Sequence, residues 1–205
     1  ERRRAGWAVA GSLGGAFATT GWTDVSLEPG AWEAVMARIV VLGGSFGGLT
    51  AALEVRRLLG KRADVTVVSE DDRFVFLPSL PWVAMGWRKP ADVTLAVGAI
   101  LEPKGIAFVH EAARQVDADA SKVVTSTGRE LPYDQLVVAT GPHLAFDEIP
   151  GLGPEKGHTA SIFTLDHATR TGEAWRRLLE APGPIVLGSS QMVSCFGPSY
   201  EIAFE

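Results

Sequence analysis

Apolar and polar positions alternate along this chain in two periods, and the switch between them marks out its elements. Residues 38–42, Arg-Ile-Val-Val-Leu, are β-branched and apolar on both faces after the first residue, the pattern of a central parallel strand. The period then lengthens. Leu49, Ala52, Leu53 and Leu59 fall on one side of a helix predicted over residues 47–59, and Gly60 stops it. A second apolar run, residues 65–69, follows at βαβ distance. Further on, the pattern predicts a helix over residues 97–104, a strand over 105–110, a hairpin over 122–131 about Gly128, and a buried strand inside residues 133–141. Residues 142–157 are rich in Pro and Gly and read as a linker. A helix is expected from Asp166 to about Leu179, with Thr164 or Asp166 as its N-cap. Residues 183–188 read as another parallel-type strand, leading through a turn into a last helix.

Between the first strand and the first helix lies Gly43-Gly-Ser-Phe-Gly-Gly48. Gly43 and Gly44 allow a tight turn with positive φ. Gly48 removes a side chain where helix and strand pack closely. The unpaired N–H groups of the helix start and its dipole favour a phosphate there. This is the dinucleotide fingerprint with one departure, Ser45 in place of the usual second glycine. Serine is small enough to admit a pyrophosphate, and its hydroxyl can donate to it. The second strand ends in Ser69 and Glu70, where an acidic side chain can hold a ribose hydroxyl. Glu70 reads equally as a solvated turn residue beside Asp71 and Asp72. The expected fold class is therefore α/β. A Rossmann-like domain with a parallel sheet and a β-hairpin or meander insertion spans residues 36–150. A linker and an incomplete second dinucleotide-binding domain occupy residues 151–205. One strand and one helix cannot bury a face between them, so the chain is expected to be the front portion of a longer protein.

Composition narrows the class. The 205 residues are 46% hydrophobic and 21% charged, a globular balance. A net charge of −5 argues against a nucleic-acid partner. No run reaches the length of a membrane-spanning helix. Cys195 is the only cysteine, so the fold is not stapled by disulfides and a reducing compartment is the default. The four histidines, His110, His143, His158 and His167, are scattered, and no metal-ligand spacing occurs. Residues 1–35 differ in texture. Arg2, Arg3 and Arg4 followed by weakly apolar residues imitate a secretory signal. The reading favoured is a mis-set start, with Met36 immediately before the first strand as the natural beginning.

Residues 73–88 carry Phe74, Phe76, Trp82 and Trp87 with Pro78 and Pro81. They read as core packing, or as a wall beside a flat ring with the backbone near Leu77 closest. After the strand at 105–110, Ala112 and Ala113 are small enough to let an adenine lie against the backbone. Gly141 permits close approach to a ligand at the carboxyl edge of the sheet.

The glycine turn, residues 73–88, the Tyr133-Asp-x-Leu-Val-x-Ala-Thr-Gly141 strand and Ser194-Cys-Phe-Gly-Pro-Ser-Tyr-Glu201 together resemble sulfide:quinone oxidoreductases. These are FAD flavoproteins of the group with two dinucleotide-binding domains. The resemblance covers residues 36–205. It implies FAD as cofactor, with Gly43, Gly44, Ser45, Phe46 and Gly47 at the pyrophosphate and Ser69 and Glu70 at the ribose. Leu77, Ala112, Ala113 and Gly141 would line the flavin and adenine path. It implies sulfide and quinone as substrates, Cys195 as the redox thiol and His167 as a proton carrier. In that mechanism a cysteine persulfide passes two electrons to FAD, which reduces quinone at a membrane. The implied location is cytoplasmic or peripheral to the cytoplasmic membrane. Position alone leaves Cys195 open between two roles. A helix start lowers a thiol pKa, whereas most lone cysteines are buried and inert. His167 is likewise open between a role and an exposed helix-start histidine.

One departure stands out. Where many relatives read Ser-Ile-Cys-Thr, this chain reads Ser161-Ile-Phe-Thr164, so Phe163 removes one thiol from any sulfur relay. The competing readings are an NADH:quinone dehydrogenase of the same fold and a non-catalytic fragment. The first suffers from the absence of a run of glycines after Leu187.

Overall fold

The structure is a computed structural model and describes residues 36–190 and 196–204. Its centre is a four-stranded parallel sheet. β1 (Ala37–Leu42) leads through the glycine turn into α1 (Phe46–Leu59), which returns the chain to β2 (Ala63–Ser69) beside β1. This is the predicted βαβ unit, with α1 starting one residue earlier than the apolar period suggests. Gly60 stops the helix at φ +56. The Arg56 guanidinium ties the helix end down, donating to the carbonyls of Gly60 (2.6 Å), Ala63 (2.9 Å) and Gly105 (2.7 Å).

After β2 the chain makes an excursion. β3 (Arg73–Val75), α2 (Leu80–Ala84) and β4 (Thr94–Ala96) precede α3 (Val97–Leu101), and β3 pairs antiparallel with β4. β5 (Ala107–His110) then joins the sheet on the far side of β2. β6 (Ala113–Asp117), β7 (Lys122–Thr125) and β8 (Glu130–Pro132) form an antiparallel meander, and β9 (Gln135–Val138) closes the sheet beside β1. The sheet order is β5-β2-β1-β9.

Both faces of the sheet are covered, which is why its strands read as continuous apolar runs. On one face Ile39, Val41, Val65 and Val67 pack with Leu49 and Ala52 of α1 and Val97 and Leu101 of α3. On the other, Val40, Leu42, Val68 and Val109 pack against Val123 of the meander. The layers are thus helices, parallel sheet and meander. The expected hairpin over residues 122–131 is β7–β8, and β6 adds the third strand.

A second cluster joins α2 to α4 (Leu165–Glu180), through Leu80, Val83, Ala84, Ile162 and Ala168. Thr164 is the N-cap of α4, accepting the His167 N–H at 3.1 Å. α5 (Gly197–Phe204) meets this cluster through Ile202 and through Glu201, whose carboxylate accepts the Trp82 indole N–H at 2.6 Å. The expected strand at residues 183–188 is a correction: no strand forms there, and Val186 is 94% exposed. A strand exists only by pairing, and the apolar run finds no partner among the described residues. The readings placed on residues 1–35 lie outside the described residues. Among those described, no helix is long and apolar enough to cross a membrane.

Candidate functional site

The carboxyl ends of β1, β2 and β9 meet at one edge, and the glycine turn crosses it. Gly43 adopts φ +111, and its N–H donates to the Val68 carbonyl at 2.8 Å. A Cβ there would sit 2.2 Å from the Ala139 carbonyl oxygen, and one at Gly48 would sit 1.9 Å from the Gly43 carbonyl oxygen. Only bare backbone lets turn, helix and strand cross at this spacing. At Gly44 a Cβ would lie 2.9 Å from the Ser69 hydroxyl. Ser45 is the N-cap residue of α1, yet its hydroxyl makes no capping bond. The first turn of the helix therefore keeps its donors for something other than its own cap.

Above this edge opens a cavity of about 640 Å³. Gly43, Gly44, Ser45, Ser69, Glu70, Leu77, Ala112 and Ala113 are among the residues that line it. Of the residues the sequence singled out, these eight are brought together. Phe46 and Gly47 do not line the cavity. Phe46 packs edge-on against Phe74, with ring centroids 4.8 Å apart, and 5.9 Å from Phe76. Gly141 lies one residue past the lining Thr140, and a Cβ there would meet nothing within 4 Å. Its φ of +75, rather than crowding, is what calls for glycine. Cys195 lies outside the described residues.

His167 borders a different cavity, of about 740 Å³, with Phe146, Leu152 and Glu155. It is buried, at 8% exposure, rather than an exposed helix-start residue. Its Nε2 lies 3.0 Å from a Glu155 carboxylate oxygen, which also pairs with Arg170. The Arg170 guanidinium first, and then His167, holds the Glu155 carboxyl below its usual range. Glu155, Asp166 and His167 bring three potential ligand atoms within 4.8 Å of one another. Arg170 already supplies positive charge to this group, bridging Glu155 and, at 2.8 Å, Asp166.

Several residues line the cavity that the sequence reading did not place there. Ala139 and Thr140 are two of them, and Phe163, Thr164, Leu165 and Asp166 reach the cavity from the start of α4. Thr164 borders both cavities. His110 donates from Nε2 to the Glu70 carbonyl at 2.8 Å, an assignment fixed because a carbonyl only accepts. Its position at the end of a strand beside that of Glu70 was the available signal. Phe163 is 55% exposed at the cavity wall.

Comparison with known proteins agrees with this geometry. Residues 37–190 match the pyridine nucleotide-disulphide oxidoreductase family. The sulfide-quinone reductase of Aquifex aeolicus is 39% identical over 165 residues, covering 80% of this chain and 37% of that protein. The crystal structure of the sulfide:quinone oxidoreductase from Aquifex aeolicus superposes with a TM-score of 0.74, over 82% of this chain and 38% of that one. An NADH dehydrogenase-like protein of Mycobacterium tuberculosis is 34% identical over 77% of this chain and 38% of its own length. The chain thus spans well under half the length of these relatives. The glycine-crossed edge, the three-layer domain and the family match converge: the chain belongs to the pyridine nucleotide-disulphide oxidoreductase family, a family of FAD-dependent oxidoreductases.

Proposed function

We propose that this chain is the FAD-binding portion of an oxidoreductase of the sulfide:quinone type, with sulfide as reductant and quinone as acceptor. The observation that carries the reading is that Gly43, Gly44, Ser69, Glu70, Ala112 and Ala113, distant in sequence, line one cavity at one sheet edge. The sulfide:quinone enzyme of Aquifex aeolicus, similar to this chain in both sequence and structure, supports the substrate assignment.

The residues present fit a dinucleotide. A Cβ at Gly44 would press on the Ser69 side chain and on Val97, so the turn beside the cavity must be bare backbone there, and the neighbouring Ser45 hydroxyl makes no capping bond. In this reading the turn at Gly43, Gly44 and Ser45 holds the pyrophosphate at the positive end of the α1 dipole, and Glu70 accepts from a ribose hydroxyl. Ala112 and Ala113 face the adenine. Leu77, Thr140 and Gly141 mark the flavin end, with Phe46 and Gly47 behind the turn. Bound there, FAD supplies a two-electron relay between sulfide and quinone. Cys195 acts as the sulfur nucleophile, and His167 takes up and releases protons against Glu155. Quinone reaches the protein at a membrane surface, which places the whole protein at the membrane periphery without a spanning segment from the described residues.

The test is spectroscopic. The purified protein, supplied with FAD, takes on flavin absorbance that is bleached by sulfide and restored by a soluble quinone. Cys195→Ser keeps the absorbance and loses the bleaching. Bleaching by NADH and not by sulfide moves the chain to the NADH dehydrogenase reading. Failure to take up FAD at saturating concentration rejects the flavoprotein assignment.

A further inference from the structure

Next to the cavity, Glu111 gathers an unusual number of donors. Its Oε2 accepts from the hydroxyls of Thr125 and Thr127, the latter at 2.6 Å, and its Oε1 lies 3.1 Å from Arg129 Nη2. All three donors belong to the β7–β8 hairpin and its turn. The Glu111 side chain is 12% exposed, and Thr125 is 2% exposed. Thr125 is fully used: its hydroxyl donates to Glu111 and accepts the Arg129 N–H at 3.2 Å. Hydrogen bonds from Thr125, then Thr127, and the charge of Arg129 keep the Glu111 carboxyl below its usual range, so it remains an acceptor.

What this network holds is the chain immediately after Glu111. The Ser126 N–H donates to the Ala112 carbonyl at 2.8 Å, flanking the Ala113–Thr125 cross-strand pair. In that antiparallel arrangement Ala113 is the non-hydrogen-bonded partner, so its own N–H and carbonyl point away from β7. The β6–β7 register is also irregular between Ala113 and Gln115. Pairing with the hairpin therefore holds this peptide by the Ala112 carbonyl alone, and the Glu111 network anchors the residue just before it. Ala112 and Ala113 line the cavity and offer it no side-chain polarity.

We infer that Glu111 is a positioning residue for the adenine half of the cofactor: by tying the hairpin turn to the strand beside it, it presents the Ala112–Ala113 backbone to the base and favours adenine dinucleotides over mononucleotide flavins. The inference rests on the FAD reading above. Glu111 touches no ligand itself; it acts through the peptide that follows it.

The experiment compares the parent protein with Glu111→Ala, Glu111→Gln and Thr127→Val for binding of FAD, ADP and FMN. Amide hydrogen exchange is followed at Ser126, whose N–H closes on the Ala112 carbonyl, and thermal melting serves as the folding control. Losing one charge-assisted network weakens FAD and ADP by roughly tenfold in Glu111→Ala. FMN affinity stays level and exchange at Ser126 rises. Glu111→Gln, which keeps one acceptor oxygen, and Thr127→Val fall between. Unchanged FAD and ADP affinity overturns the inference. So does an equal fall for FMN accompanied by lower melting, which marks Glu111 as general scaffold. A parent that binds ADP but not FAD sinks the flavoprotein reading while the ADP series still decides the role of Glu111. A parent that binds none of the three sinks both.

Discussion

The carbonyl oxygen of Ala139 lies 2.2 Å from where a Cβ on Gly43 would stand. The end of β9 and the turn after β1 are therefore fitted backbone to backbone, and that fit shapes the cavity that both line. Gly43 also sits at φ +111. Gly43→Ala combines a clash with fixed backbone and a strained conformation, each costing about 1–3 kcal/mol. A sharply lowered melting temperature, or no soluble protein, is the expected outcome. A melting curve matching the parent would mean that turn and strand are not in contact.

Ser45 separates binding from stability. Its hydroxyl caps nothing, so Ser45→Ala should leave unfolding free energy within about 0.5 kcal/mol of the parent. FAD affinity should fall, because a donor to the pyrophosphate is lost. Denaturant melts and flavin titration on the same preparation check both halves. A stability loss without an affinity loss would return the hydroxyl to a structural role.

At the opposite edge of the sheet, the Arg38 side chain donates to both carboxylate oxygens of Asp134, at 3.2 and 2.7 Å, and the Arg38 N–H adds a third bond at 2.7 Å. This holds the Asp134 carboxyl down, from 3.8 to about 2. A depressed carboxyl stabilises the fold above its unfolded pKa, and the gain is lost as pH falls through the folded value. Asp134→Asn should thus melt lower than the parent at pH 7, with the gap closing as pH drops from 3.8 toward about 2. Parallel melting curves across that window would contradict the pair. FAD affinity at pH 7 should not change, since the pair is remote from the cavity.

The Trp82–Glu201 bond links α5 to α2. Glu201→Ala leaves a half-buried indole N–H without its acceptor, a loss of about 1–2 kcal/mol. Faster amide exchange in α5 and a red-shifted tryptophan emission should accompany it. Exchange in β1 and β2 should stay as in the parent.

The first βαβ unit was legible because its strands are buried on both faces and its turn must be glycine. Both constraints are local enough to be written into residues 38–69. β3, β4 and β6 were not anticipated, because three to five residues carry too short an alternation to read without a turn signal such as Gly128, which marked β7 and β8. Residues 183–188 failed in the other direction: the apolar composition of a strand is present and the pairing is not. The same division runs through the site. Glycines and alanines that must be small announced the cavity. Phe163 and Thr164, delivered by the start of α4, and the Glu111 network, made by a hairpin fold-back, depend on tertiary placement. His167 was singled out only by the resemblance, and its partner Glu155 is visible only once the linker has folded against α4.

The bare run at Ile185, Val186 and Leu187 has a practical consequence. All three are exposed, lie outside any helix or strand, and carry no charge. Segments of this kind recruit one another into intermolecular sheets. Solutions of this polypeptide should gain scattering with concentration, and placing a lysine at Val186 should suppress it without altering the nucleotide end of the molecule.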